Sequence, residues 1–274
     1  SYKNVAPSNF LKTAFENAGF PTQLIPNVVE IENYTFKQRK VYKPNLLFVR
    51  AFHQIYNPTM AVRVLYNLLQ QYPEATLCMI GPEKDSSFQE TKDLAEKLGI
   101  SKSITYTGVL PKEEWHKISE SYDLFINTTT VDNTPVSVME AMAMGLPVVS
   151  TNVGGIPYLL EDDKDAYLVP SNDANVMCEK IVAIIEGSTN VDDVVVDARK
   201  KVEQFDWSVV RLQWISLLES IEVKKKQRWT EVFYDKSPVF IQNMLITIYG
   251  FYWKDRRLGG NFKKYIHHFQ KHEN

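Results

Sequence analysis

The stretch Asp132-Asn133-Thr134-Pro135-Val136-Ser137-Val138-Met139-Glu140-Ala141-Met142-Ala143-Met144-Gly145-Leu146-Pro147-Val148-Val149-Ser150, running on to Gly154-Gly155-Ile156-Pro157, decides how the chain folds. Thr134 before Pro135 has the chemistry of an N-cap and a first helical position, since proline needs no N–H there and its φ is already helical. Gly145 predicts the helix stop about three turns later, and 146–150 reads as a short buried strand. Inside the helix, Glu140 lies among Met139, Ala141 and Met142. A carboxylate in so apolar a setting needs a partner, because an unpaired buried charge costs several kcal/mol. Asp132 lies eight positions ahead of Glu140. Between them the helix N-terminus offers backbone N–H groups and the positive end of the dipole, a natural seat for phosphate. One segment therefore presents an anion seat with two carboxylates able to accept hydrogen bonds from hydroxyls. A sugar nucleotide carries both complements, a diphosphate in the middle and a polyol ring on either side.

These residues resemble the acidic-x7-Glu signature of retaining glycosyltransferases with the GT-B fold, the family 4 type also described as group 1. The run Glu-Ala-Met-Ala-x-Gly-x-Pro-Val-Val followed by Gly154-Gly155 is similar to theirs over about a dozen fixed positions. The plainer alternative is a helix–strand unit of another doubly wound protein, with Glu140 facing water.

Outside this stretch, short β-branched or apolar runs alternate with helical patterns. Strands are expected at 45–49, 76–80, 103–106, 122–126, 146–150 and 166–169, and helices at 58–71, 88–98, 111–119, 174–186, 191–204 and 207–221. Such alternation predicts an α/β fold, a Rossmann-like doubly wound parallel sheet covered on both faces. Ligands of such sheets bind at the carboxyl ends of strands, near the point where strand order reverses. Ahead of this region, a helix at 9–18 and a strand at 22–25 lead into a polar stretch, 30–43, that reads as a linker.

The 274 residues are 44% apolar and 23% charged, with a net charge of −2, which argues against a dedicated nucleic-acid binder. Cys78 and Cys178 are too few for a disulfide framework and read as core thiols of a reducing compartment. No apolar run of about twenty residues appears, so the expected location is cytoplasmic, or peripheral at the inner face of the membrane. Residues 223–274 hold 11 Lys+Arg against 4 Asp+Glu, which leaves −9 for the rest and marks the tail as a separate unit. Its interleaved aromatic and basic residues suit a membrane surface or a partner groove. The tail also resembles the opening segment of phenylacetate–CoA ligase-like adenylating enzymes.

The family resemblance implies the C-terminal, donor-binding half of a GT-B enzyme with a short helical appendage. Residues 1–40 are then a remnant of the N-terminal acceptor half plus the linker, 41–222 the nucleotide-sugar-binding domain, and 223–274 the basic aromatic tail. Most of the acceptor half would lie outside this chain, which is then expected to transfer poorly alone. The partners implied are a nucleotide sugar, a saccharide or lipid-linked acceptor and the missing N-terminal half, with neither cofactor nor metal. The helix at 207–221 resembles the family's closing helix; an ordinary amphipathic core helix is the alternative.

Residue by residue, the resemblance gives Glu140 the ribose diol and Asp132 the hydroxyls of the transferred sugar, where relatives more often carry Glu. Asn133, Thr134, Pro135 and Val136 form the helix entrance for phosphate. Arg50 matches the arginine that clamps the diphosphate, a job suited to a fork of fixed donors. The family's lysine is absent, with Tyr56 nearest its place, and Lys84 on the next loop is the candidate for the missing charge; a solvated lysine is the alternative. His53 is either a polar group near the phosphates or a structural histidine. At Gly108-Val109-Leu110 the backbone would read the base edge while Val109 packs on the ring. Gly154-Gly155 allows a tight turn or close approach to ligand.

Asp163-Lys164-Asp165 has the short acidic spacing of a metal site but reads as a solvated turn. A purely binding or membrane-docking module is the competing reading. A nicotinamide-dependent oxidoreductase is the third, disfavoured because no Gly-x-Gly-x-x-Gly follows an early strand.

Overall fold

In the computed structural model the described residues are 3–220, and the alternation of apolar runs with amphipathic segments becomes eight strands and nine α-helices among them. In chain order these are β1 (Asn4–Ala6), α1 (Asn9–Asn17), β2 (Thr22–Leu24), β3 (Asn45–Val49), α2 (Pro58–Leu69), β4 (Thr76–Ile80), α3 (Ser87–Lys97), β5 (Ile104–Gly108) and α4 (Lys112–Ser119). There follow β6 (Leu124–Asn127), α5 (Val136–Ala143), β7 (Val148–Thr151), α6 (Ile156–Leu159), β8 (Tyr167–Val169), α7 (Ala174–Ile185), α8 (Val191–Glu203) and α9 (Trp207–Glu219). Most boundaries lie within one or two residues of those expected. Everything expected of 223–274, its helices and its docking role, lies outside the described residues.

Six strands form one parallel sheet in the order β5-β4-β3-β6-β7-β8. The chain starts at β3 in the middle, winds out to β5, returns to β6 beside β3 and winds out to β8. Strand order reverses between β3 and β6, and that reversal is the crevice where such folds bind ligands. The doubly wound α/β class is the one expected from the sequence.

Alternation along the central strands explains why both faces are covered. Leu46, Leu77, Met79, Leu124 and Ile126 pack into one apolar cluster with α2 and α7. Leu47, Cys78, Phe125 and Val148 point to the other face, against α5 and Trp115 of α4. Each of these buried side chains contributes about 1.5–3 kcal/mol before chain entropy is subtracted. Apart from this sheet, β1 and β2 form a small parallel pair with α1 between them. Ile25, just past β2, packs with Val210 and Leu217 of α9, and Val5 and Val28 lie alongside.

The polar segment 30–43, expected as a linker, is packed onto the domain, with Tyr34 and Arg39 buried. Arg39 donates from Nε to the Tyr122 carbonyl (3.0 Å), from Nη1 to Gly145 (3.0 Å) and from Nη2 to Ser119 (3.3 Å), and pairs with Asp123 at 3.3 Å. Guanidinium donors thus satisfy carbonyls that the ends of α4 and α5 leave without helical partners. Burial pushes the Arg39 pKa down, and the Asp123 charge opposes that shift.

One expectation needs correction: α5 spans eight residues, about two turns rather than three. Its N-cap is Pro135, not Thr134, because ψ of 112° at Pro135 keeps the chain extended one residue further. Its end is as the glycine implied. Leu146 N–H reaches the Ala141 carbonyl (3.0 Å), Gly145 N–H reaches Met142 (3.1 Å), and Gly145 has φ of +73°. A Cβ at Gly145 would also lie 2.7 Å from the Lys37 carbonyl oxygen. Gly145→Ala is expected to lower stability by about 1–3 kcal/mol. Urea unfolding measures this, and an unchanged midpoint would show that the contact with 36–37 is dispensable.

Candidate active site

The site grows from the ends of β3 and β6, the two strands at the reversal. Arg50 follows β3, and its N–H still donates to the Ile80 carbonyl of β4 (3.0 Å), so the guanidinium leaves from a fixed backbone. Its Cζ lies 4.2 Å from the Tyr56 ring centroid, and its Nη2 pairs with Asp132 Oδ2. The side chains of both partners are nearly buried, at 13% and 11% exposed. Burial pushes the Arg50 pKa down while Tyr56 draws it back up. Tyr56, which follows the position of the missing lysine, thus supports the arginine rather than replacing a cation.

Asp132 is fixed by more than its salt bridge. Its Oδ1 accepts the Asn133 N–H (2.8 Å), and its carbonyl accepts the Gly155 N–H (2.8 Å). Asn133 Oδ1 in turn accepts from the Ser8 hydroxyl. A Cβ at Gly155 would fall 1.9 Å from the Asn133 carbonyl oxygen, and one at Gly154 2.4 Å from that of Asp132. The two glycines are therefore packing requirements of the 132–133 loop, which aligns the entrance of α5.

At that entrance, Pro135 gives α5 no side-chain cap; its carbonyl takes the Val138 and Met139 N–H groups (3.2 and 3.3 Å), which leaves those of Val136 and Ser137 directed out of the helix start. Among the described residues, Arg50 Nε, Thr134 Oγ1 and Ser137 Oγ are buried polar atoms with no hydrogen-bond partner. Ser137, in the first turn of α5, did not emerge as a candidate from sequence. Nothing in its spacing distinguishes it from any helical serine.

Glu140 lies one turn further along α5 and is 4% exposed. Its Oε1 accepts from the Tyr34 phenol (2.8 Å) and pairs with Lys112 Nζ (2.8 Å). Burial, then the charge of Glu140 and this hydrogen bond, push the Tyr34 pKa far upward, which keeps the phenol protonated and donating. His116 lies against Tyr34, with ring centroids 4.6 Å apart. Burial lowers the His116 pKa, and Glu140 opposes that shift. Sequence reasoning required a partner for Glu140 but missed Tyr34, Lys112 and His116. They come from a polar segment and another helix, so no local spacing marks them.

The remaining candidates are placed differently. Lys84 is exposed on the loop after β4, its N–H donating to the Phe52 carbonyl (3.0 Å). Val109 is 69% exposed on the loop after β5. Both stand at the carboxyl edge of the sheet without joining the Arg50–Asp132 pair. His53 Nδ1 accepts the Ile55 N–H (3.2 Å) and Nε2 is 3.8 Å from Asp85, contacts that brace its own turn. Asp163 pairs with Lys180 (2.9 Å), while Asp165 accepts the Glu161 N–H (2.9 Å) and pairs with Lys201. A groove of 480 Å³ between α2 and α7 contains Glu179 and Glu186 but no cation, which makes it a poor seat for phosphate.

The arrangement, then, is a doubly wound sheet with an arginine, two carboxylates and an uncapped helix start near its reversal point. Residues 30–201 match the family described as Glycosyl transferases group 1, and the chain belongs to that family. It is 34% identical over 138 residues to WcaL from Escherichia coli (strain K12), assigned as a colanic acid biosynthesis glycosyltransferase; the match covers 47% of this chain and 34% of that protein. It is likewise 34% identical over 125 residues to the amylovoran biosynthesis glycosyltransferase AmsK from Erwinia amylovora, covering 43% of this chain and 31% of AmsK. The chain thus spans about a third of the length of these relatives.

Among solved structures it is similar to Anabaena HepE in complex with UDP-glucose, with a TM-score of 0.72 at 19% identity over 81% of this chain and 64% of that one. It is also similar to the C-terminal domain of the group 1 glycosyl transferase LpcC from Francisella tularensis, with a TM-score of 0.56 at 17% identity over 64% of this chain and 97% of that domain. These likenesses bear out a Rossmann-like domain of the kind found in GT-B glycosyltransferases.

Tyr34→Phe keeps the ring against His116 but removes one donor from a buried carboxylate. It is expected to cost about 1–3 kcal/mol in chemical unfolding. Unchanged stability would mean that Lys112 alone satisfies Glu140 Oε1.

Proposed function

We propose that this chain is the donor-binding half of a retaining glycosyltransferase of the family 4 type. It binds a nucleotide sugar whose glycosyl group is passed to a saccharide or lipid-linked acceptor in polysaccharide or glycolipid assembly. The observation that carries the reading is the clustering at the start of α5. Arg50 Nε, Thr134 Oγ1 and Ser137 Oγ are buried without partners there, beside an uncapped helix end. Leaving such groups unpaired costs about 1–3 kcal/mol each, and a diphosphate would supply acceptors to all of them. Glu140, one turn deeper, suits the ribose, and exposed Val109 suits an apolar contact with the base. Lys84, exposed on the neighbouring loop, is assigned the added charge in this reading. HepE, bound to UDP-glucose in its structure, and the biosynthetic roles of AmsK and WcaL lend support to donor class and pathway type.

In this reading the bond between the anomeric carbon and the β-phosphate oxygen breaks. The acceptor oxygen bonds to the same carbon on the same face, and its proton passes to the departing phosphate oxygen. The protein's work is electrostatic and positional: Arg50 and the α5 amides stabilise charge growing on the diphosphate. Asp132 holds Arg50 in place in addition to facing the sugar.

Calorimetric titration with UDP, GDP and ADP tests the reading. Saturable binding of one nucleotide is expected, weakened about tenfold or more by Arg50→Lys and by Glu140→Gln. Binding of none, or binding indifferent to both changes, would overturn it.

A further inference from the structure

The buried Glu140 carboxylate has a cation of its own, in a place where local helix chemistry disfavours one. Lys112 is the first residue of α4, and its N-cap, Pro111, provides no side-chain cap. A positive side chain there faces the positive end of the helix dipole. Its side chain is 64% exposed, yet Nζ lies 2.8 Å from Oε1 of a carboxylate that is 5% exposed. Lys112 also directly follows the β5–α4 loop bearing Val109. One turn on, His116 lies half-buried against Tyr34, and its partial burial holds its pKa below the ordinary value, so it adds no second cation at neutral pH. A residue that breaks a local rule while reaching a functional carboxylate is where a functional role is expected.

This inference rests on the reading that Glu140 meets the ribose. A ribose hydroxyl both donates and accepts, while a carboxylate only accepts and an ammonium only donates. Set 2.8 Å apart, Glu140 and Lys112 offer both complements at one point. The ammonium also cancels a negative charge that a diphosphate ligand would otherwise meet unpaired. We propose that Lys112 is a specificity-determining residue of the nucleoside subsite, forming with Glu140 a donor–acceptor pair that reads the ribose diol and rejects deoxyribose. A site built to hydrogen-bond a hydroxyl discriminates against the analogue lacking it, because its polar groups lose their partner.

The test is titration of the full chain with UDP, GDP and ADP, then with the 2′-deoxy form of whichever binds, for the unaltered chain, Lys112→Met, Lys112→Arg and Glu140→Gln. The unaltered chain is expected to favour the ribonucleotide by about tenfold or more, and Lys112→Met to weaken ribonucleotide binding about tenfold and bring the ratio near one. Lys112→Arg, which keeps a donor, is expected to recover part of the preference. The ratio is taken within one variant, so a loss of folded fraction does not imitate the effect. Lys112→Met with unchanged or tighter binding, or with weaker binding and an unchanged ratio, overturns this inference while leaving the donor reading intact if Glu140→Gln still loses affinity. Absence of nucleotide binding by the unaltered chain overturns both.

Discussion

A carboxylate buried among methionines and alanines needs polar partners from the protein, and at Glu140 two separate parts of the chain supply them. Tyr34 arrives from the polar segment ahead of β3, and Lys112 from the start of α4. Those two contacts account for much of what surrounds the site. Tyr34 carries its segment into the core, where Arg39 then ties the ends of α4 and α5 to the same stretch of backbone. Lys112 draws the first turn of α4 toward α5. Removing the carboxylate at Glu140 would therefore loosen a junction of three elements.

The same logic repeats at Asp132. Each acid of the site has its own base, Arg50 for Asp132 and Lys112 for Glu140. An unpaired carboxylate would repel a diphosphate, so pairing both leaves the uncapped start of α5 as the element that sets the sign of the local field. The doubly wound topology makes this possible. Because β3 and β6 are neighbours in the sheet, residues 82 positions apart in sequence, Arg50 and Asp132, come into contact at the reversal point.

Much of the fold was legible because it rests on local signals. Alternating apolar runs mark the strands of a sheet buried on both faces, and Gly145 ends α5 through a backbone geometry that glycine adopts readily. The start of α5 was misplaced by one residue because proline's fixed φ suits both the cap and the first helical position; only ψ separates them. Segment 30–43 was read as a linker because its polarity is real, while its burial depends on carbonyls and a carboxylate contributed from about 80 to 110 residues away. Lys112 escaped for the same reason. Its meaning lies in a contact with another helix, and sequence spacing carries no trace of it. Arg50, Asp132 and Glu140 stood out through their place in a motif, but that Arg50 and Asp132 bind each other was visible only in three dimensions.

The central claim is that the start of α5 and its two acid–base pairs form one nucleotide-sugar subsite. A crystal structure of the chain with the nucleoside diphosphate it binds tests that claim most directly. The account predicts the phosphates within hydrogen-bonding distance of Arg50 and the first-turn amides of α5, and the ribose hydroxyls on Glu140. A nucleotide seated elsewhere, for example in the groove between α2 and α7, with both acid–base pairs untouched, would contradict it.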